Sequence, residues 1–224
     1  RDDFVFCDQW ADSDATNDGA VWALWGQESQ YTTSGTESLE NHADLVSYGS
    51  EYELYASICT IGEDMDGDGD DEIWVWNAGT GTLSALDGGP HLRDGDIDPE
   101  DDALATYSFS ASDTPVHIRS IGDFTGDGIS EIGVGEDSSS PGELTIIDGA
   151  LIGEFSSSDT LSSIAGDDED PYFQSAYGSG LSVLPGDLNG DGLHDLVVGD
   201  PQWGDSSFGE SNTGAVYITF QVSD

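Results

Sequence analysis

The 224-residue chain carries 47 acidic side chains against three basic ones, Arg1, Arg93 and Arg119, for a formal net charge of −44. Nothing in it neutralises phosphates, so nucleic acid is excluded as a partner, and the absence of lysine excludes Walker-type and Schiff-base chemistry. Hydrophobic residues make up 36% of the chain and aromatics 10%, enough for a packed core, while no uninterrupted apolar run approaches the ~18 residues of a membrane-spanning helix.

The chain opens on Arg1, without a methionine or a signal-like apolar segment, which predicts a processed mature protein or a piece of something longer. The stretch VFCDQWADSDATNDGAVWALWG from Val5 can be laid against VVGDPQWGDSSFGESNTGAVYITF from Val197. This pairs Gln9-Trp10 with Gln202-Trp203, and Ala20-Val21-Trp22 with Ala215-Val216-Tyr217. The chain is therefore expected to enter at the second strand of a repeating unit whose first strand is absent. Cys7 and Cys59 are too few for a disulfide framework; they form either one bridge in an oxidising compartment or two buried thiols.

Three stretches then recur: GEDMDGDGDDEIWVW from Gly62, GDFTGDGISEIGVGE from Gly122 and GDLNGDGLHDLVVGD from Gly186. Counted from the first aspartate, each has Asp at position 1, an oxygen-bearing side chain at 3, Gly at 4, Asp at 5, Gly at 6, Asp or Glu at 9 and Ile or Leu at 10. Asp64, Asp123 and Asp187 are 59 and 64 residues apart, a period that suits one four-stranded unit per repeat. A hard cation of calcium's size takes six to eight oxygens at about 2.3–2.6 Å, and a tightly curled loop turns its odd-numbered positions inward to supply them. The first site is assigned Asp64, Asp66, Asp68 and Glu72, the second Asp123, Thr125, Asp127 and Glu131, the third Asp187, Asn189, Asp191 and Asp195. Position 7, namely Asp70, Ile129 and Leu193, is expected to offer a backbone carbonyl, which leaves its side chain free to vary. Thr125 is a neutral ligand, so the second site is expected to bind more weakly. About three Ca²⁺ ions follow.

An EF-hand begins the same way but needs a glutamate at position 12 and flanking helices. Position 12 here is Val75, Val134 or Val198, inside Ile/Val/Trp-rich runs that read as strands, so each loop is expected to join a β-hairpin and to be closed by the acid at position 9.

On these loops the chain resembles the FG-GAP repeats of the integrin α-subunit β-propeller and its bacterial relatives. LVVGDP at 196–201 is similar to the GAP element, GAVYITF at 214–220 to the strand that follows it, and YGSGLSV at 177–183 is a looser match to the FG element. The resemblance implies an all-β fold, a β-propeller-type array of about four four-stranded antiparallel blades within one domain over 1–224. The blades fall near 1–50, lacking the first strand, 51–111, 112–158, and 175–224, lacking the outer strand. An incomplete blade leaves strand edges that recruit other chains. The chain is thus a fragment of a longer ring, a self-closed four-bladed ring, or a subunit whose neighbouring copies complete it head to tail into a filament.

Ten of the 47 acids are spent in the loops, and three divalent ions would move the net charge only from −44 to −38. A saline or calcium-rich medium fits the remainder. No G-x-S-x-G, H-E-x-x-H or phosphate-binding glycine loop occurs, and His42, His91, His117 and His194 are scattered, with His194 expected to face solvent. No catalytic residue is therefore assigned. Trp10 and Trp203 occupy matched places where an aromatic could stack on a sugar, and Trp74 and Trp76 alternate along a strand and should face the same side; packing between blades is the expectation for all four. The expected protein is an extracellular, calcium-stabilised adhesive or structural subunit whose partners are other copies or cell-surface molecules. Alternatives are a lectin-like propeller binding glycans, or a non-catalytic part of a larger secreted enzyme.

Overall fold

The computed structural model describes residues 3–11, 18–26, 43–49, 55–90, 101–109, 115–136, 143–165, 182–200 and 215–220. Every extended element described is a β-strand, and the strands pair antiparallel wherever their register is given. A single 3₁₀ turn at Ser157–Asp159 is the helical content of these residues. No helix among them is long and apolar enough to cross a membrane. The all-β expectation is thus met. The chain separates into two compact units, Arg1–Tyr107 and Ser108–Asp224.

In the first unit, β1 (Phe4–Asp8), β2 (Ala20–Leu24) and β3 (Leu45–Tyr48) form one sheet in that order. β4 (Ile58–Ile61), β5 (Ile73–Asn77), β6 (Thr82–Leu86) and β7 (Ala105–Ser108) are sequential neighbours in a second. The sequence of β5, Ile-Trp-Val-Trp-Asn, is β-branched or aromatic at four of five positions, and all five residues are buried, as a strand flanked on both faces requires. Asn77 then turns the chain. Its Oδ1 accepts the N–H groups of Gly79 (3.0 Å) and Thr80 (3.3 Å), so the reversal into β6 begins directly at the strand end.

The faces of the two sheets share a core of Val21, Ala23, Trp25, Leu45, Tyr55, Ile73, Val75 and Leu86. Cys7 on β1 and Cys59 on β4 pack against this core and are joined as a disulfide, with Cα atoms 6.2 Å apart. Of the two states left open by the sequence, the bridge is the one adopted. Trp74 and Trp76 are 2% and 3% exposed, so both serve packing, while Trp10 is 59% exposed. Trp203 lies outside the described residues, as do His42 and His91.

In the second unit, β8 (Pro115–Ser120), β9 (Ile132–Glu136) and β10 (Glu143–Ile147) are followed by the short β11 (Gly153–Ser156) and by β12 (Ser162–Ala165). One sheet runs β8-β9-β10-β12, so its last strand falls beyond residue 158, near which the repeat spacing ends a blade. β13 (Ser182–Gly186), β14 (Asp195–Asp200) and β15 (Ala215–Thr219) form a three-stranded sheet. Ile121, Leu144, Ile146, Leu196 and Val198 knit these two sheets together.

Candidate metal centres

Each acidic loop connects two antiparallel neighbours: β4 to β5, β8 to β9, and β13 to β14. Strands, not helices, flank all three, which separates them from EF-hands. In the first loop the carboxylate of Asp64 gathers the curl. Its Oδ1 accepts the N–H of Gly67 (2.6 Å) and Asp68 (3.1 Å), and its Oδ2 that of Gly69 (3.0 Å). Asp123 does the same for Gly126 (2.6 Å) and Gly128 (2.9 Å), and Asp187 for Gly190 (2.6 Å), Asp191 (3.1 Å) and Gly192 (3.0 Å).

Positions 4 and 6 are glycine for a backbone reason. Gly67 and Gly69 have φ of 85° and 101°, while a Cβ on either would meet nothing within 4 Å. The left-handed conformation, not crowding, demands the residue. Asp70, Ile129 and Leu193 at position 7 give their N–H groups to the aspartate at position 5, each at 2.9 Å. Their half-buried side chains differ without disturbing that bond.

The acid at position 9 closes the loop from the next strand's base. Glu72 Oε2 accepts the N–H of Met65 (2.9 Å), Glu131 Oε2 that of Phe124, and Asp195 Oδ2 those of Leu188 (2.7 Å) and Asn189 (3.2 Å). All three acids are fully buried. The other oxygen of both glutamates, Oε1, is enclosed without any hydrogen-bond partner. Burial pushes Glu72 up to about 7, aided by the charges of Asp66 and Asp64 and opposed by the Met65 N–H. Glu131 is raised for the same leading reason, while the Phe124 N–H and the Thr125 hydroxyl, which also bonds it, pull the other way.

The loops differ in what they assemble. In the first, single oxygens of Asp64, Asp66 and Glu72 lie within 4.8 Å of one another, as do oxygens of Asp66, Asp68 and Asp87. In the second, Asp123, Asp127 and Glu131 meet in the same way. Among the described residues the third brings no such trio of carboxylates together; Asn189 instead donates from Nδ2 to Asp191 Oδ2 at 3.0 Å. A buried carboxylate with an oxygen that lacks a donor, on a side chain clustered with further carboxylates, is costly by several kcal/mol unless a cation or proton compensates it. Oxygen-only donor sets of this kind suit a hard divalent ion. The first two sites therefore fit such an ion.

Two participants escaped the sequence reading. Asp87 follows β6, and the only hint of it is Leu-Asp-Gly at 86–88 recurring as Ile-Asp-Gly at 147–149. His194, expected to face solvent alone, is exposed but also accepts the Asp123 N–H at its Nδ1 (3.1 Å), linking the third loop to the second.

The architecture is that of an antiparallel β-repeat protein with acidic hairpin loops. Residues 179–219, which span the third loop and its hairpin, match the family model for the FG-GAP repeat, so the chain carries an FG-GAP repeat there. No curated protein matches the chain.

Proposed function

We propose that this is an extracellular, calcium-stabilised FG-GAP repeat protein of β-propeller type, with a structural or adhesive role and no catalytic one. The observation that carries the calcium reading is the pair of wholly buried glutamates, Glu72 and Glu131, each with one oxygen that has no hydrogen-bond partner and each a member of a cluster of carboxylates. Asp64, Asp66, Asp68 and Glu72 would hold one ion and Asp123, Thr125, Asp127 and Glu131 another. Asp187, Asn189, Asp191 and Asp195 would hold a third, and the neutral Thr125 would make the second site bind more weakly than the first. Bound there, an ion supplies positive charge to each hairpin tip, and because that site is not assembled in an unfolded chain, its binding energy adds to folding. The Cys7–Cys59 bridge supports an oxidising compartment. Calcium is expected to raise the melting temperature saturably and excess EDTA to lower it by ten degrees or more, on the order of several kcal/mol. A calorimetric melt identical in calcium and EDTA rejects the reading.

The partners are inferred to be further copies of this chain. Among the described residues β15 is an edge strand, and its Val216, Tyr217 and Ile218 are all exposed, which supports strand pairing between copies.

A further inference from the structure

We propose that His194 is a positioning residue for the second loop's cation site and couples that site to the third, so that the two loops take up their ions cooperatively. The inference rests on the calcium reading above and extends it from single loops to a pair. Both loops belong to the second unit, and the core between their sheets brings them side by side. Ile121 stands directly before Gly122 and Leu196 directly after Asp195, and both are members of that core. His194 reaches across from the third loop. Its Nδ1 accepts the Asp123 N–H at 3.1 Å, and its side chain packs against Gly122, where a Cβ would sit 2.5 Å from Nδ1 and 2.7 Å from Cγ. Gly186 holds the same place in the third loop, and a Cβ there would meet nothing within 4 Å. Histidine at position 8 is likewise confined to the third loop, with Asp71 and Ser130 in the other two.

The contact falls on backbone from which the second site is built. The Gly122 carbonyl accepts the Glu131 N–H (3.1 Å), and the Ile121 N–H is given to the Glu131 carbonyl (2.9 Å). Residues 121–123 are thus held from one side by the buried acid at position 9 and from the other by His194. Asp123 in turn gathers Gly126 and Gly128 and shares a cluster with Asp127 and Glu131. On the donating side, His194 stands between Leu193, whose N–H is held by Asp191 Oδ1, and Asp195, whose Oδ2 holds Leu188 and Asn189. With Asp191 and Asp195 in one ion's shell, the backbone on both sides of the imidazole is restrained, and Asp123 then loses less freedom when the second loop closes. Linkage makes the effect mutual: occupancy of the second loop strengthens the third by the same factor. One exposed hydrogen bond and its packing set that factor at about fivefold.

The test is calorimetric titration of the whole protein with calcium alone. Asp127→Asn, which strips the second loop of a ligand, identifies that loop's binding step, and Asp191→Asn disables the third. D191N is expected to remove one step and to weaken the second loop's about fivefold. His194→Ala should weaken the second loop's step by a similar factor and, combined with D191N, weaken it no further, because both act through one contact. His194→Asn, whose Oδ1 can accept in place of Nδ1, should restore the step, whereas a residue that merely fills space is not rescued in this way. The coupling is overturned, and the calcium reading stands, if D127N removes a step but D191N leaves the second loop's affinity unchanged, if H194A and D191N add independently, or if H194N binds as weakly as H194A. If the wild type takes up no calcium, or D127N and D191N leave every step as it was, both fall. Should H194A not fold, H194N is compared with His194→Phe, which keeps a ring without the acceptor, and equal second-loop affinities in the two overturn the proposal.

Discussion

At the scale of single residues, Glu72 carries the most testable chemistry. Without a cation, burial favours its neutral form, and its folded value of about 7 lies above the 4.5 of an ordinary glutamate. A raised value contributes stability that is whole below about 4.5 and is lost as pH rises through about 7, so the metal-free protein should gain stability on mild acidification. The loss by pH 8 is roughly 3 kcal/mol. Glu72→Gln imitates the protonated acid, keeps an oxygen for the Met65 N–H, and can donate its amide to neighbouring carboxylates. In EDTA at pH 8 it should therefore melt above the wild type, a difference that disappears near pH 4; in calcium it should melt below. A variant that melts lower under both conditions would show that the negative charge is not what burial opposes. The role of this residue was legible beforehand because an acid eight residues after an aspartate recurs in three loops. Asp87 was not, since Asp-Gly reads locally as a turn and its approach to Asp66 is made only by folding. The bond from Asp123 to His194 spans 71 residues and left no local signal either.

At the scale of elements, the hairpin loops and their flanking strands were readable because two periods coincide: glycines at positions 4 and 6 punctuate the turn, and Ile/Val/Trp runs resume at position 10. What the sequence left open was long-range, namely whether β1 and β4 are stapled. Cys7 and Cys59 belong to different sheets of the first unit, yet both lie on its shared core. The bridge closes a loop across a separation of 52 residues, for which chain entropy gives at most about 4 kcal/mol of stabilisation. Replacing both cysteines by serine should lower the unfolding free energy by about 2–4 kcal/mol, read from the urea midpoint with calcium present. An unmoved midpoint would mean that the core alone fixes these strands. Calcium and the disulfide act on neighbouring ends of the same hairpin, since Cys59 precedes the first loop and Val75, its register partner, follows it. The two removals should therefore be non-additive, unlike substitutions at distant sites.

At the scale of the molecule, charge and edge oppose each other. β15 presents Val216 and Ile218 on one face and Tyr217 on the other, at 67%, 51% and 42% exposure, in a segment, 214–220, that carries no charge. Among the described residues no strand pairs with its outer edge. Such an edge favours a second strand, both through main-chain hydrogen bonds and through apolar side chains on alternate faces. Each approaching copy, however, brings a formal charge of −44, which calcium in three loops reduces only to −38. Screening decides between them: the Debye length is about 30 Å at 0.01 M salt, about 10 Å at 0.1 M and about 3 Å at 1 M. Dilute buffer should hold the copies apart, and high salt should leave only the contact attraction. Sedimentation velocity in calcium is expected to show monomer near 0.01 M NaCl and progressively larger species towards 1 M. Val216→Glu with Ile218→Glu should abolish the growth by placing like charges on the pairing strand. Electron microscopy of the high-salt sample distinguishes filaments from closed rings, because a head-to-tail contact that does not close must propagate. Discrete monomers at every ionic strength would reject edge pairing between copies, and the adhesive role would then have to lie with a partner of different chemistry.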